Sequence, residues 1–427
     1  MLYKEAIDYL YSLRLFGTKL GLENTFRLAK LAGNPQERLR FIHVAGTNGK
    51  GSTCAMLESI YRAAGLKTGL FTSPHLVSFC ERIQIDRNPI AESEVARLVS
   101  ELRPLLQRFP SKAHPTFFEV VTIMALKYFQ EQSCDIVIWE TGLGGRLDAT
   151  NIVTPLAAVI TNVQFDHQEW LGDSLGKIAL EKAGIIKSRI PVISAVDAPE
   201  ALKIIEHTAR ERRASLRLVT GADLKSPLLS QIKLPLIGQH QRLNAALAVE
   251  TVKTLQDMIP VSDSQIRFGL ESVSWPGRLQ LIVTPSGQKL LLDGAHNGAR
   301  ATALRKALEE FFPAKPEALI LGMLHDKDFH TICKILAPLS DSILVCPVDS
   351  KRTAAPELLA KVCMIANPGA RVVTCSSLGD ALNQTSAARF VLLAGSLYLV
   401  GEALELLGGA PSTSERALNE WSPAPAT

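Results

Sequence analysis

Between positions 45 and 53 the chain reads Ala-Gly-Thr-Asn-Gly-Lys-Gly-Ser-Thr, residue types suited to holding phosphate. Glycines let backbone N–H groups crowd one point, Lys50 adds a cation for terminal phosphates, and Ser52 or Thr53 offers a hydroxyl to Mg2+. The spacing departs from the common G-x-x-x-x-G-K-[ST] loop: Gly51 separates Lys50 from Ser52, and two residues separate Gly46 from Gly49. Other polar groups end apolar runs nearby. Ser73 lies in Thr72-Ser-Pro-His75, Glu140 precedes Thr-Gly-Leu-Gly-Gly-Arg-Leu-Asp-Ala-Thr-Asn, and His167 follows Asp166. Beside a phosphate loop, Ser73, Glu140 and His167 make an arrangement for Mg2+. Each has a plainer reading. Ser73 could cap a turn with Pro74, and Glu140 could pair with Arg146. His167, a softer donor than Mg2+ prefers, suits a hydrogen-bonding or catalytic role.

These groups need strands to aim them. Phe41 to Val44 reads as a buried strand, and Met56, Leu57, Ile60 and Tyr61 recur at helical spacing, so the loop opens a helix. Strands are expected at 41–45, 67–72, 135–139, 157–162 and 191–195, with helices at 117–131, 174–186 and about 240–258. If those strands are parallel, their carboxyl ends gather the polar groups on one side. The Trp275-Pro-Gly277 stretch is a natural boundary. Beyond it strands are expected near 279–284, 289–293, 318–323, 342–348, 370–375 and 389–394, the first two joined by the Pro285-Ser-Gly287 turn. The fold class is α/β: an N-terminal P-loop-type, mostly parallel sheet flanked by helices, with a second, smaller α/β domain. The domains divide as 1–275, 276–410 and a frayed tail at 411–427, rich in Ser, Pro, Ala and Thr.

Composition narrows the class. A chain of 427 residues, 47% hydrophobic and 21% charged, fits a multidomain globular enzyme. Its net charge of +4 favours anionic ligands mildly, and no dense Lys/Arg run speaks for nucleic acid. Met1 to Asp8 carries charges where a secretory signal needs an apolar run, and Phe390 to Val400 is too short for a bilayer. The seven cysteines form no C-x-x-C pair and read as reduced, buried thiols in the cytoplasm.

Taken together, the motifs resemble the dihydrofolate synthase/folylpolyglutamate synthase family of the Mur ligase superfamily. The resemblance runs through Leu20-Gly-Leu-Glu23, the loop at 46–52, Thr72 to Leu76, Glu140 to Asn151, Asp166-His167 and Glu181 to Ile185. In the second half it takes in Pro276 to Leu279, Asp293-Gly-Ala-His-Asn297 and Gly322 to Asp328. By position it implies that ATP meets Thr47, Asn48, Gly49, Lys50, Gly51, Ser52, Asn244, Arg278 and Asp293. It gives two Mg2+ ions to Ser73, Glu140, His167 and Lys182, the last as a carbamate. Read without the family, Lys182 is one charge on an amphipathic helix with a solvated face. The pterin side is implied at Thr18, Lys19, Leu20, Thr116, Phe117, Phe118, Glu119, Arg146, Leu147 and Asp148, although adjacent aromatics that open a helix are often core. His296, with Lys50, His167 and Lys182, is implied for the chemistry.

The activity so implied is ATP-dependent ligation of L-glutamate to 7,8-dihydropteroate, and to the γ-carboxylate of reduced folate glutamates, through an acyl phosphate. Small-molecule substrates, a monomer, and no membrane or nucleic-acid partner are expected. Three other readings compete. A cell-wall Mur ligase usually carries a further N-terminal domain, whereas 40 residues precede the first strand here. A small-molecule kinase needs no second domain at its nucleotide. A nucleotide-binding protein without activity would have no reason to keep Lys50, Ser73, Glu140, His167, Lys182 and Asp293.

Overall fold

Short apolar runs buried on both faces make parallel strands, and the first sheet is built from them. The computed structural model describes residues 1–17 and 21–408, with Glu415 and Asn419, the side chain of Lys112 apart. The first sheet comprises β1 (Phe41–Ala45), β2 (Thr68–Phe71), β3 (Ile83–Ile85), β4 (Asn88–Pro89), β5 (Ile136–Glu140), β6 (Ala157–Ile160), β7 (Val192–Ser194) and β8 (Leu216–Leu218). Their order is β4-β3-β2-β5-β1-β6-β7-β8. From β2 to β8 the pairing is parallel, while β3 turns back antiparallel on β2 and β4 on β3. Strand order reverses around β1, so the carboxyl ends of β1, β2, β5 and β6 open into one crevice.

The helix Lys50–Ala63 leaves that crevice and packs against the helices Gln239–Thr254 and Asp263–Glu271. Its contact with the latter is close. A Cβ on Gly269 would stand 2.6 Å from Ile60 Cα, and Ser59 Oγ donates to Gly269 O at 2.7 Å. Residues up to Val273 share the apolar core of this half, which includes Ile42, Val44 and Ile60.

The second sheet comprises β9 (Gln280–Val283), β10 (Lys289–Asp293), β11 (Ala318–Leu321), β12 (Ser342–Val345), β13 (Arg371–Thr374) and β14 (Phe390–Ala394), in the order β13-β12-β11-β14-β10-β9. All are parallel except β9, which forms the expected hairpin with β10. Its turn is closed by Gly287 N donating to Thr284 O.

Of the expected tail at 411–427, Glu415 and Asn419 fall within the described residues, and both dock on the first half. The Glu415 carboxylate accepts from Phe79 N at 2.6 Å, Tyr3 Oη at 3.0 Å and Ser78 Oγ at 3.1 Å. Asn419 accepts from Arg82 Nη2 and donates to His75 O at 2.9 Å. Among the described residues no helix is long and apolar enough to cross a membrane.

Candidate active site

The phosphate loop sits at the carboxyl end of β1 and is held by the chain that follows β6. Thr47 N donates to Asn162 O at 3.0 Å, and Asn48 N donates to Asn162 Oδ1 at 2.8 Å. Thr161 Oγ1 donates to Asn48 O at 2.6 Å. Gly46 is required by this closeness, since a Cβ there would lie 1.8 Å from Thr161 Oγ1. Gly49 caps the helix Lys50–Ala63 with φ +84°, and a Cβ on it would lie 2.5 Å from Asn244 Oδ1. Asn244 therefore abuts the loop. The helix that begins at Lys50 turns its N-terminus, with first-turn N–H groups that have no partner within the helix, to the loop, as an anion site requires. Lys50 Nζ lies 3.1 Å from Gly46 O, inside the loop.

A cavity of about 260 Å³ opens from this loop. Ser73, Glu140, His167 and Lys182 all line it, from four separate chain segments. Ser73 N donates to Glu140 Oε2 at 3.2 Å. Burial pushes the Glu140 carboxyl up to about 7 against the opposing pull of Lys50. Burial, and then the like charge of Lys50, brings the Lys182 amine down to about 7. Glu140 and Lys182 have no ion pair among the described residues. No cluster of three or more His, Cys, Asp and Glu side chains is placed to cage a metal among them either. One buried carboxylate and a hydroxyl beside a phosphate cradle fit Mg2+, which binds through one or two carboxylates and takes its other ligands from phosphates and water.

Asp166 knits the two halves together. It accepts from His167 N at 3.0 Å, from Asn297 Nδ2 at 3.2 Å and from Lys327 Nζ at 2.9 Å, with His296 Nε2 at 3.7 Å. Burial opposes its ionisation, but His296, His167 and Lys327 hold its carboxyl well below the usual range. His296 Nδ1 donates to Gly294 O at 2.8 Å, which fixes its ring, and burial pulls the imidazole down against the opposing pull of Asp166. Burial takes His167 down to about 4 despite Asp166. Arg278 lines the cavity from the domain junction, while Asp293 accepts from Leu279 N at 2.9 Å and so shapes that turn.

The aromatic end of the cavity is made by Thr116, Phe117, Phe118 and Glu119 with Leu147 and Asp148. Thr116 and Glu119 also form a reciprocal cap on the helix Phe117–Glu131, and Glu119 accepts from Thr25 Oγ1 at 3.0 Å. Phe117 belongs to the core and carries Arg82 on its face at 5.5 Å, whereas Phe118 is half-buried against Gly142. Asp148 is fixed by Leu143 N at 2.7 Å and by Thr150 Oγ1 at 2.5 Å. Arg146 turns away from this wall; it is half-exposed and pairs with Glu181 at 2.7 Å, not with Glu140. Thr18, Lys19 and Leu20 lie outside the described residues.

Several cavity residues carried no role in the sequence reading: Arg82, Trp275, Arg300, Arg352, Ser396 and Tyr398. Trp275 packs on Gly51, where a Cβ would stand 2.8 Å from its ring. Lys327 falls inside the string Gly322 to Asp328, a signal that marked the segment without giving the lysine a task.

Known proteins agree with this geometry. Residues 44–213 match the Mur ligase middle domain, and residues 277–397 match the Mur ligase, glutamate ligase domain. The dihydrofolate synthase/folylpolyglutamate synthase of Bacillus subtilis (strain 168) is 34% identical over 422 residues, covering 94% of this chain and 98% of that protein. The protein of that name from Escherichia coli (strain K12) is 33% identical, with 94% of each chain covered. Among solved structures, the Mycobacterium tuberculosis folylpolyglutamate synthase complexed with ADP superimposes with a TM-score of 0.86 at 30% identity, covering 96% of this chain and 100% of that one. An E. coli FolC in complex with DHPP and ADP gives 0.83 at 32% identity, covering 96% and 98%. With its loop, crevice and second domain matched over nearly its whole length, the chain belongs to the dihydrofolate synthase/folylpolyglutamate synthase family of Mur ligases.

Proposed function

We propose that the protein is an ADP-forming ligase that joins L-glutamate to 7,8-dihydropteroate and to the γ-carboxylate of reduced folate glutamates. One observation carries this reading. The phosphate loop, an aromatic slot at Phe117 and Phe118, and a basic wall from the second domain share a single cavity. A kinase acting on a hydroxyl would not need Arg278, His296, Lys327 and Arg352 brought from the second half to that cavity.

In the first step the substrate carboxylate oxygen attacks the γ-phosphorus of ATP. The bond to the β–γ bridging oxygen breaks, ADP leaves with the electron pair, and an acyl phosphate forms with no proton moved. In the second step the neutral amine of glutamate attacks the acyl carbon. The C–O bond to phosphate breaks, and the amine's proton leaves with inorganic phosphate. Lys50 and Arg278 neutralise charge around the phosphoryl group, and the loop N–H groups position it. Ser73 and Glu140, with His167 and Lys182 beyond them, would hold Mg2+, which supplies further charge neutralisation at the phosphates. Carbamylation of Lys182 would first need its ammonium to lose one proton; the neutral amine would then add CO2 and release a second, replacing a cation at this site with carbamate oxygens. The second domain excludes water from the hydrolysable acyl phosphate. We read the enzyme as a cytoplasmic monomer working on small molecules.

The test is to supply the pure protein with ATP, Mg2+ and [14C]glutamate, offering dihydropteroate or tetrahydrofolate in turn. Labelled product with both acceptors is expected. Product with tetrahydrofolate alone reduces the reading to a folylpolyglutamate synthase, and product with neither overturns it.

A further inference from the structure

The loop is touched by a second-domain residue to which neither the family motifs nor the sequence gave a role. Arg300 lies in the first turn of the helix Gly298–Phe311, whose N-cap Asn297 accepts from Arg300 N at 3.0 Å. Its Nε donates to Asn48 Oδ1, so the guanidinium rests on the phosphate loop itself. Arg300 lines the cavity, yet its Nη1 is buried and has no hydrogen-bond partner among the described residues. A buried guanidinium N–H without an acceptor is expensive to maintain. Lys50 and Arg278 nearby are cationic, and the carboxylates whose charge reaches Arg300 (Asp293, Asp166 and Glu140) make no hydrogen bond to it among the described residues. The missing acceptor is therefore an anion that arrives with substrate, and the group nearest this end of a phosphate loop is the terminal phosphate.

We propose that Arg300 is a phosphate-binding residue of the ligase site, whose Nη1 donates to the terminal phosphate of ATP and holds that group during transfer to the substrate carboxylate. The planar fork suits the task, because one edge is fixed on Asn48 while the other stays available for phosphate oxygens. The second domain thus reads whether a terminal phosphate is present. The proposal rests on the ligase reading only for the acceptor; the contact with ATP stands without it.

The test compares the affinities of AMPPCP and ADP for the wild type, Arg300→Ala and Arg300→Gln by titration calorimetry in the presence of Mg2+. Both variants should bind AMPPCP about tenfold or more weakly, with ADP affinity within about twofold of wild type. The rate of glutamate ligation should fall by about 10²-fold. Equal weakening of both nucleotides would make Arg300 a support for Asn48 and overturn the proposal, as would unchanged AMPPCP binding. Arg300→Gln is the safeguard should the alanine variant fail to fold, because its amide can still donate to Asn48. Failure of the wild type to ligate glutamate would sink the functional reading but leave the nucleotide comparison intact.

Discussion

At the residue scale, burial decides what the ionisable groups can do. Lys182 is 2% exposed, and its amine is held down to about 7 by burial and then by Lys50. A lysine so placed spends part of its time neutral at physiological pH, which is the form that reacts with CO2. Lys182→Ala should be nearly inactive, and short carboxylic acids should restore part of the rate by filling the vacated space with oxygen ligands. Lys182→Arg should resist rescue; full activity in that variant would exclude a carbamate. His43 shows the same physics without chemistry. It is fully buried in β1, its Nε2 donates to Thr150 Oγ1 at 2.9 Å, and burial takes it down to about 3. Its folded value lies below the unfolded one near 6.5, so the unfolded chain binds the proton first. Stability is therefore lost as pH falls below about 6.5, by about 2 kcal/mol at pH 5. Urea midpoints at pH 7 and 5 should converge in His43→Gln relative to the wild type.

At the element scale, what could be read in advance followed from burial pattern. β1 and β10 were expected at 41–45 and 289–293 and occupy those residues, because a strand buried on both faces leaves a short, mostly apolar run, broken in β1 only by His43. The hairpin of β3 and β4 left no such trace. It is five residues of strand around Asp86 and Arg87, which adopt positive φ of 49° and 68° without the usual Asn-Gly. β8, Leu-Arg-Leu, is too short to show a period. In the site, Ser73, Glu140 and His167 were legible because strand ends announce themselves. Arg300 and Arg82 were not, since long side chains reach the cavity from elements whose placement only the tertiary fold decides. Helix packing has a similarly local requirement. Gly269→Ala would thrust a methyl group against the Ile60 backbone, and the denaturation midpoint should report a loss of about 1–3 kcal/mol. An unchanged midpoint would mean that the two helices can slide apart freely.

At the scale of the whole molecule, the candidate active site is a seam. The first sheet brings the loop, Glu140 and Asp166; the second brings Arg278, His296, Arg300 and Lys327. Asp166 is the junction, with Lys327 at 2.9 Å and Asn297 at 3.2 Å across the seam. Removing one partner of a buried charged pair costs about 2–5 kcal/mol, which is tenfold or more in an equilibrium constant. Asp166→Asn should raise the KM for glutamate by at least about tenfold and enlarge the radius of gyration measured by X-ray scattering with AMPPCP. An unaltered scattering curve and KM would mean that other contacts keep the halves together.

The hydrogen bond between Tyr3 and Glu415 joins positions 412 apart, so the backbone between them is a ring closed by side chains. This bears on the order in which a ribosome delivers the parts. Phe79 N is synthesised 336 residues before the carboxylate that accepts from it. The amino-terminal sheet, which emerges first and folds as a unit, must wait through translation of the whole second domain with that socket empty. The clasp therefore forms only after the residues of both sheets have been synthesised.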